Sequence, residues 1–161
     1  MKPGPKIGFL LIIHFFLLFT LSCSKNKNDV IPDVYINFTV DLLDPEFVNL
    51  NAMFGSVTVS SRTNNWGYSA AGYDNNGIIV FCGPDEYYAY DRTCPHDFAV
   101  NNLSIKVNLD PDFLTNASCP ECGTVYELSA SGTPISGPGR YPLKNYKTSF
   151  YYGRYITVWN D

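Results

Sequence analysis

Val34-Tyr35-Ile36-Asn37-Phe38-Thr39-Val40 decides the fold class, because Val34, Ile36, Phe38 and Val40 alternate with more polar neighbours. Alternation at period two puts four apolar side chains on one face of an extended segment, as a half-buried strand requires. Working outward, short β-rich runs recur at residues 56–60, 77–81, 86–90, 103–109, 124–128, 146–151 and 155–159. Turn clusters separate them, among them Asp74-Asn75-Asn76-Gly77, Gly83-Pro84-Asp85 and Tyr152-Gly153-Arg154. The 12 Tyr and 11 Phe suit strands, and no window of a dozen residues sustains a helical stripe. The expected fold class is all-β, an antiparallel barrel or sandwich, with at most a short helical turn over residues 45–51.

The N-terminus sets the compartment. Lys2 and Lys6 precede an apolar run of fifteen residues, Ile7 to Leu21, broken only by His14 and Thr20. A bilayer span takes about 20 residues, so the run is short for one. It ends in Thr20-Leu21-Ser22-Cys23 and then the polar Ser24-Lys25-Asn26-Lys27-Asn28-Asp29. A small residue before a cysteine at this place is similar to a bacterial lipoprotein signal, although Thr20 stands where Leu, Val or Ile is usual; an ordinary signal peptide or an uncleaved anchor is the alternative. The expected organisation is a signal peptide at 1–22, a lipidated Cys23 with a flexible tether to residue 33, and one β domain at 34–161. Acyl chains on Cys23 would partner membrane lipid, leaving the domain exported and lipid-anchored on the periplasmic or outer-membrane face.

Charge narrows the function further. The chain carries 11 Lys+Arg against 15 Asp+Glu, and loss of Lys2 and Lys6 with the signal leaves 9 against 15, a net charge of −6. Such a surface repels nucleic acid, and no basic stripe offsets it. With His14 removed, His96 is the single remaining histidine, and no Ser-His-Asp order, P-loop or carboxylate pair points to a stand-alone enzyme or to an identifiable small-molecule substrate.

Apart from Cys23 the cysteines are Cys82, Cys94, Cys119 and Cys122. Two patterns concentrate them: Thr93-Cys94-Pro95-His96 and Cys119-Pro120-Glu121-Cys122-Gly123. Each sets two soft or borderline donors two or three positions apart on a Pro- or Gly-shaped loop, so that both can converge on one point. The 22 residues from Asp97 to Ser118 allow intervening strands that bring both loops to one end of the domain. Cys82, at the end of an apolar run, reads as a buried small hydrophobe.

These stretches resemble the Rieske-type iron–sulfur domain, whose two loops read C-x-H and C-x-x-H. The lead-in Tyr88-Ala89-Tyr90-Asp91-Arg92, the continuation Gly123-Thr124-Val125-Tyr126, and the tail Gly137-Pro138-Gly139-Arg140-Tyr141-Pro142-Leu143 extend the likeness from about residue 76 to the C-terminus. One departure is large, since Cys122 stands where the family has its second histidine. The resemblance then implies a metal-ligand set of Cys94, His96, Cys119 and Cys122, a 2Fe-2S cluster of lower potential than the usual Rieske centre, and Thr124 and Tyr126 as hydroxyl donors to the sulfurs. The family's disulfide has no counterpart in the two loops.

The expected function is an electron-transfer module working with a redox protein partner. The alternative is a non-redox structural or binding lipoprotein that holds zinc or a disulfide in place of a cluster. Cys3His is a closed structural zinc set, and an oxidising compartment favours disulfides. No arginine occurs in the first 60 residues, so the export signal is not of the twin-arginine type by which exported Rieske proteins generally cross the membrane folded.

Overall fold

A computed structural model describes residues 29–160, so the signal and Cys23 lie outside the described residues. The order of elements is β1 (Asn37–Asp41), a 3-10 helix (Pro45–Asn51), β2 (Ser56–Val59), β3 (Trp66–Ser69), a 3-10 turn (Tyr73–Asn75), β4 (Ile78–Cys82), β5 (Tyr87–Asp91), α1 (Pro95–Asn101), β6 (Asn108–Leu109), β7 (Asn116–Ser118), β8 (Val125–Glu127), a 3-10 turn (Leu128–Ala130), β9 (Thr133–Ser136), β10 (Asn145–Tyr151) and β11 (Tyr155–Trp159). Among the described residues no helix is long and apolar enough to cross a membrane.

The strands form two antiparallel sheets: seven strands in the order β2-β4-β5-β10-β11-β1-β3, and four in the order β6-β7-β8-β9. Alternation fixes the register of β1, where Phe38 and Val40 are buried and face Val158 and Ile156 of β11. The large sheet curls, so that Val57 of β2 and Val80 of β4 share one core with Phe38, Ile156 and Val158. The 3-10 helix adds Phe47 and Leu50 to this core, and Asp44 caps it by accepting from the Glu46 N–H.

Strand β4 explains how the small sheet is held. Ile78-Ile79-Val80-Phe81 is fully buried because it is covered on both faces. Ile78 and Val80 enter the first core, whereas Ile79 and Phe81 join Tyr90, Val107, Ala117, Tyr126, Leu128 and Leu143 in a second core beneath the small sheet. Cys94 and Cys119 belong to that second core. The chain between β5 and β8 therefore builds an outer layer whose cysteine loops rest on the large sheet.

Several details depart from the sequence pattern. Strands β3, β7 and β9 lie outside the expected runs, and in residues 103–109 only Asn108–Leu109 is strand, with Lys106 bridging back to Thr93. A helix, α1, follows directly on Cys94. Ile31, within the expected tether, is buried, and its carbonyl accepts from Lys144 Nζ at 2.7 Å.

Candidate metal centre

The first loop leaves β5 at Asp91. Its carboxylate is buried and accepts from the Thr93 N–H at 2.8 Å, the Tyr73 N–H at 2.7 Å and the Tyr146 hydroxyl at 2.7 Å. Asn76 ties the same loop down by donating to the Thr93 and Ser104 hydroxyls, each at 2.8 Å. Cys94 donates its N–H to the Ile105 carbonyl at 2.7 Å and is the N-cap of α1, with Pro95 at the first helical position. Three residues on, Asp97 occupies the third helical position and is buried.

The second loop turns between β7 and β8. The Cys119 N–H bonds to the Thr124 carbonyl at 2.9 Å, and the Gly123 N–H returns to the Cys119 carbonyl at 3.0 Å. Gly123 has φ +72°, a left-handed conformation that its missing Cβ permits. The Gly139 N–H donates to Thr124 Oγ1 at 3.0 Å, which clamps the proline loop onto this turn.

The two loops meet. One donor atom each from Cys94, Asp97, Cys119 and Cys122 all lie within 4.8 Å of one another. Cys94 Sγ is 3.7 Å from Cys122 Sγ, and the Cys119 thiol donates to Asp97 Oδ2 at 2.9 Å. Tyr126 Oη stands 3.4 Å from Cys94 Sγ, and the Cys122 thiol donates to Thr124 Oγ1 at 3.2 Å. Three of the four ligands that the resemblance implies are thus brought together, with Thr124 and Tyr126 against their sulfurs. His96 is half-buried on the first turn of α1 and is not part of the four-donor group. The acidic residue three positions after an N-cap followed by proline is the sequence signal that points to Asp97.

Electrostatics follow from burial. Burial pushes the Cys94 thiol up to about 11, against an opposing N–H bond from the Asp97 backbone. Cys119 is also pushed up, by burial first and by the Asp97 carboxylate next, while the backbone N–H groups of Cys122 and Glu121 favour its thiolate. For Asp97, burial works to raise the carboxyl, but thiol hydrogen bonds from Cys119, Cys94 and Cys122 outweigh it and hold it below the usual carboxylate range. Burial, then Cys94, raises the Tyr126 hydroxyl. All four described cysteines are free thiols. Cys82 stands apart, half-buried at the end of β4 beside a cleft lined by Tyr87, Thr148 and Phe150.

No family model matches this sequence, and no curated protein matches it. Solved structures are similar to it, two of them as follows. One is a complex of reduced oxygenase and oxidised ferredoxin in carbazole 1,9a-dioxygenase, 17% identical, with a TM-score of 0.40 over 66% of this chain and 82% of that one. The other is the ferredoxin of carbazole 1,9a-dioxygenase from Nocardioides aromaticivorans IC177, 19% identical, with a TM-score of 0.37 over 53% of this chain and 77% of that one. Likeness at this level carries no functional conclusion, which must come from the site.

The four converging donors are grouped more tightly than the ligands of a 2Fe-2S cluster. Such a cluster sets two ligands on each iron, at opposite ends of the iron–iron axis with the sulfides between, so a thiolate on one iron stands well clear of a thiolate on the other. The four donors, within 4.8 Å of one another, are closer than that arrangement, and His96, the fourth ligand that the resemblance implies, is outside their group. A single tetrahedral ion is compatible, because a Zn–S bond of about 2.3 Å puts two thiolates about 3.8 Å apart.

Proposed function

We propose that this chain is an exported, lipid-anchored β module in which Cys94, Cys119 and Cys122 hold a structural metal centre that staples the two outer loops together. The observation that carries this reading is the convergence of three cysteine side chains from two loops on one buried carboxylate. Three thiols packed around one acid, with backbone N–H groups aimed at two of the sulfurs, form a donor set suited to a soft or borderline cation. Metal binding there is coupled to folding, since the site forms only when both loops are in place.

The test is metal analysis of protein prepared from its native membrane, followed by substitution. Cys94→Ser or Cys119→Ser should release the metal and lower the melting temperature by roughly 10 °C, the scale expected for losing a few kcal/mol in a domain of this size. In the metal-stripped chain the same variants should shift it far less. Equal melting temperatures for parent and variants under metal-loaded conditions would rule out a structural centre.

One contact supports a second reading, electron transfer with a redox protein partner. The Tyr126 hydroxyl at 3.4 Å from Cys94 Sγ is the kind of bond that raises the potential of a thiolate-bound redox metal. A paramagnetic iron signal on reduction favours this reading, and a colourless protein with zinc alone ends it.

A further inference from the structure

We propose that the centre is mononuclear, a single tetrahedral divalent cation of the zinc class, and that Asp97 rather than His96 supplies its fourth ligand. This rests on the metal-centre reading and deepens it, and it departs from the ligand set that the motif spacing implies. Local geometry decides between the two candidates. Pro95 starts a helix, so Cys94 at the N-cap and Asp97 three residues later share one face, whereas residues two apart do not face each other. Cys94 and Asp97 are accordingly in one donor group, and His96 is outside it.

Distances agree with one ion. The Cys94 and Cys122 sulfurs are 3.7 Å apart, close to the tetrahedral edge of about 3.8 Å set by two Zn–S bonds. The Asp97 oxygen, hydrogen-bonded at 2.9 Å to Cys119 Sγ, needs to open to the edge of about 3.5 Å set by one Zn–O and one Zn–S bond, and the widest donor pair, within 4.8 Å, needs to close by about 1 Å at most. The carboxylate is only 2% exposed, so the cation replaces three thiol protons as its partner rather than displacing solvent. Binding then balances as one divalent cation taken up, three S–H bonds broken and three protons released to solvent, with a net charge of −2 at the centre. The Asp97 N–H aimed at Cys94 Sγ, and the Glu121 and Cys122 N–H groups aimed at Cys119 Sγ, spread part of that charge over the backbone.

Cobalt(II) is a spectroscopic stand-in for zinc, and the experiment uses the full chain, extracted in detergent and stripped with a chelator under reducing conditions. The chain should take up one cobalt per molecule and show the visible absorption of a tetrahedral, three-thiolate site. His96→Ala should leave affinity and spectrum unchanged. Asp97→Asn should weaken binding by at least roughly 100-fold, because losing a direct ligand exceeds the 10–100-fold cost of an outer partner. Asp97→Cys should restore uptake with a four-thiolate spectrum, which guards against a folding defect in the first variant. Loss of affinity in His96→Ala alone, or equal binding by His96→Ala and Asp97→Asn, overturns the Asp97 assignment while leaving the metal centre standing. Two irons with acid-labile sulfide in natively prepared protein overturn the single ion. Failure of the parent chain to take up any metal is the separate result that defeats the metal-centre reading itself.

Discussion

At the scale of the residue, the centre depends on a side chain that is not itself a donor to it. Asp91 is buried and accepts from two backbone N–H groups and the Tyr146 hydroxyl, and so fixes the chain two residues before Thr93 and three before Cys94. Asp91→Ala would leave those three donors buried without partners, at about 1–3 kcal/mol each where water cannot enter. The expected loss is about 3 kcal/mol or more, measured by denaturant unfolding of the metal-stripped chain, with partial recovery in Asp91→Asn. A loss below about 1 kcal/mol would mean that the loop finds other acceptors. The sulfurs of Cys94, Cys119 and Cys122 were legible because Cys-x-x-Cys-Gly is a compact turn pattern whose donors can converge, and a second loop carrying a cysteine follows the same kind of Pro-shaped turn. Asp97 was not, because a Cys-x-His spacing directs attention to the imidazole, and only the onset of α1 at Pro95 decides which side chain faces Cys94.

At the scale of the element, legibility followed how much apolar surface each segment buries. Strands β1, β2, β4, β5, β10 and β11 carry the large sheet, and their alternating or continuous apolar residues mark them in the sequence. Strands β3, β7 and β9 do not: Gly67 breaks the pattern of the first, Asn116-Ala117-Ser118 offers one small apolar side chain, and Pro134 interrupts the third. All three exist because a neighbouring strand supplies pairing, which tertiary context rather than propensity provides. The seven residues of α1 are too few for a helical stripe and reveal themselves only through the cap and Pro95. Element contacts also predict where the second loop is fragile. A Cβ on Gly139 would come within 2.5 Å of Thr124 Cγ2, so Gly139→Ala must push the proline loop away from the cysteine turn. The expected cost is about 1–3 kcal/mol, the range for overpacking, read by denaturant unfolding together with weaker metal uptake. Unchanged stability would show that the proline loop does not hold the turn.

At the scale of the whole molecule, the two cores divide the work: one closes the curled large sheet, and the other seats the small sheet with its cysteines against β4 and β5. The N-terminal approach is fastened as well. Lys144, itself buried, holds the Ile31 carbonyl at 2.7 Å and the Asp33 carboxylate at 2.7 Å, so the folded unit begins before residue 34. Between Cys23 and Ile31 only eight peptide steps remain, a reach of at most about 28 Å when fully extended. A lipid at Cys23 would therefore keep the domain within about its own diameter of the bilayer, where a partner in the same membrane is within range. Single substitution separates this anchoring from the fold, because Cys23 lies eight residues before Ile31, the first buried one among the described residues. Cys23→Ser should abolish incorporation of labelled palmitate and move the chain from the membrane pellet to the soluble extract. Its melting temperature and metal content should match those of the parent. An unlabelled parent chain would mean that no lipid is attached at Cys23, and continued sedimentation of the variant with the membrane would mean that the apolar run at residues 7–21 is retained as an anchor.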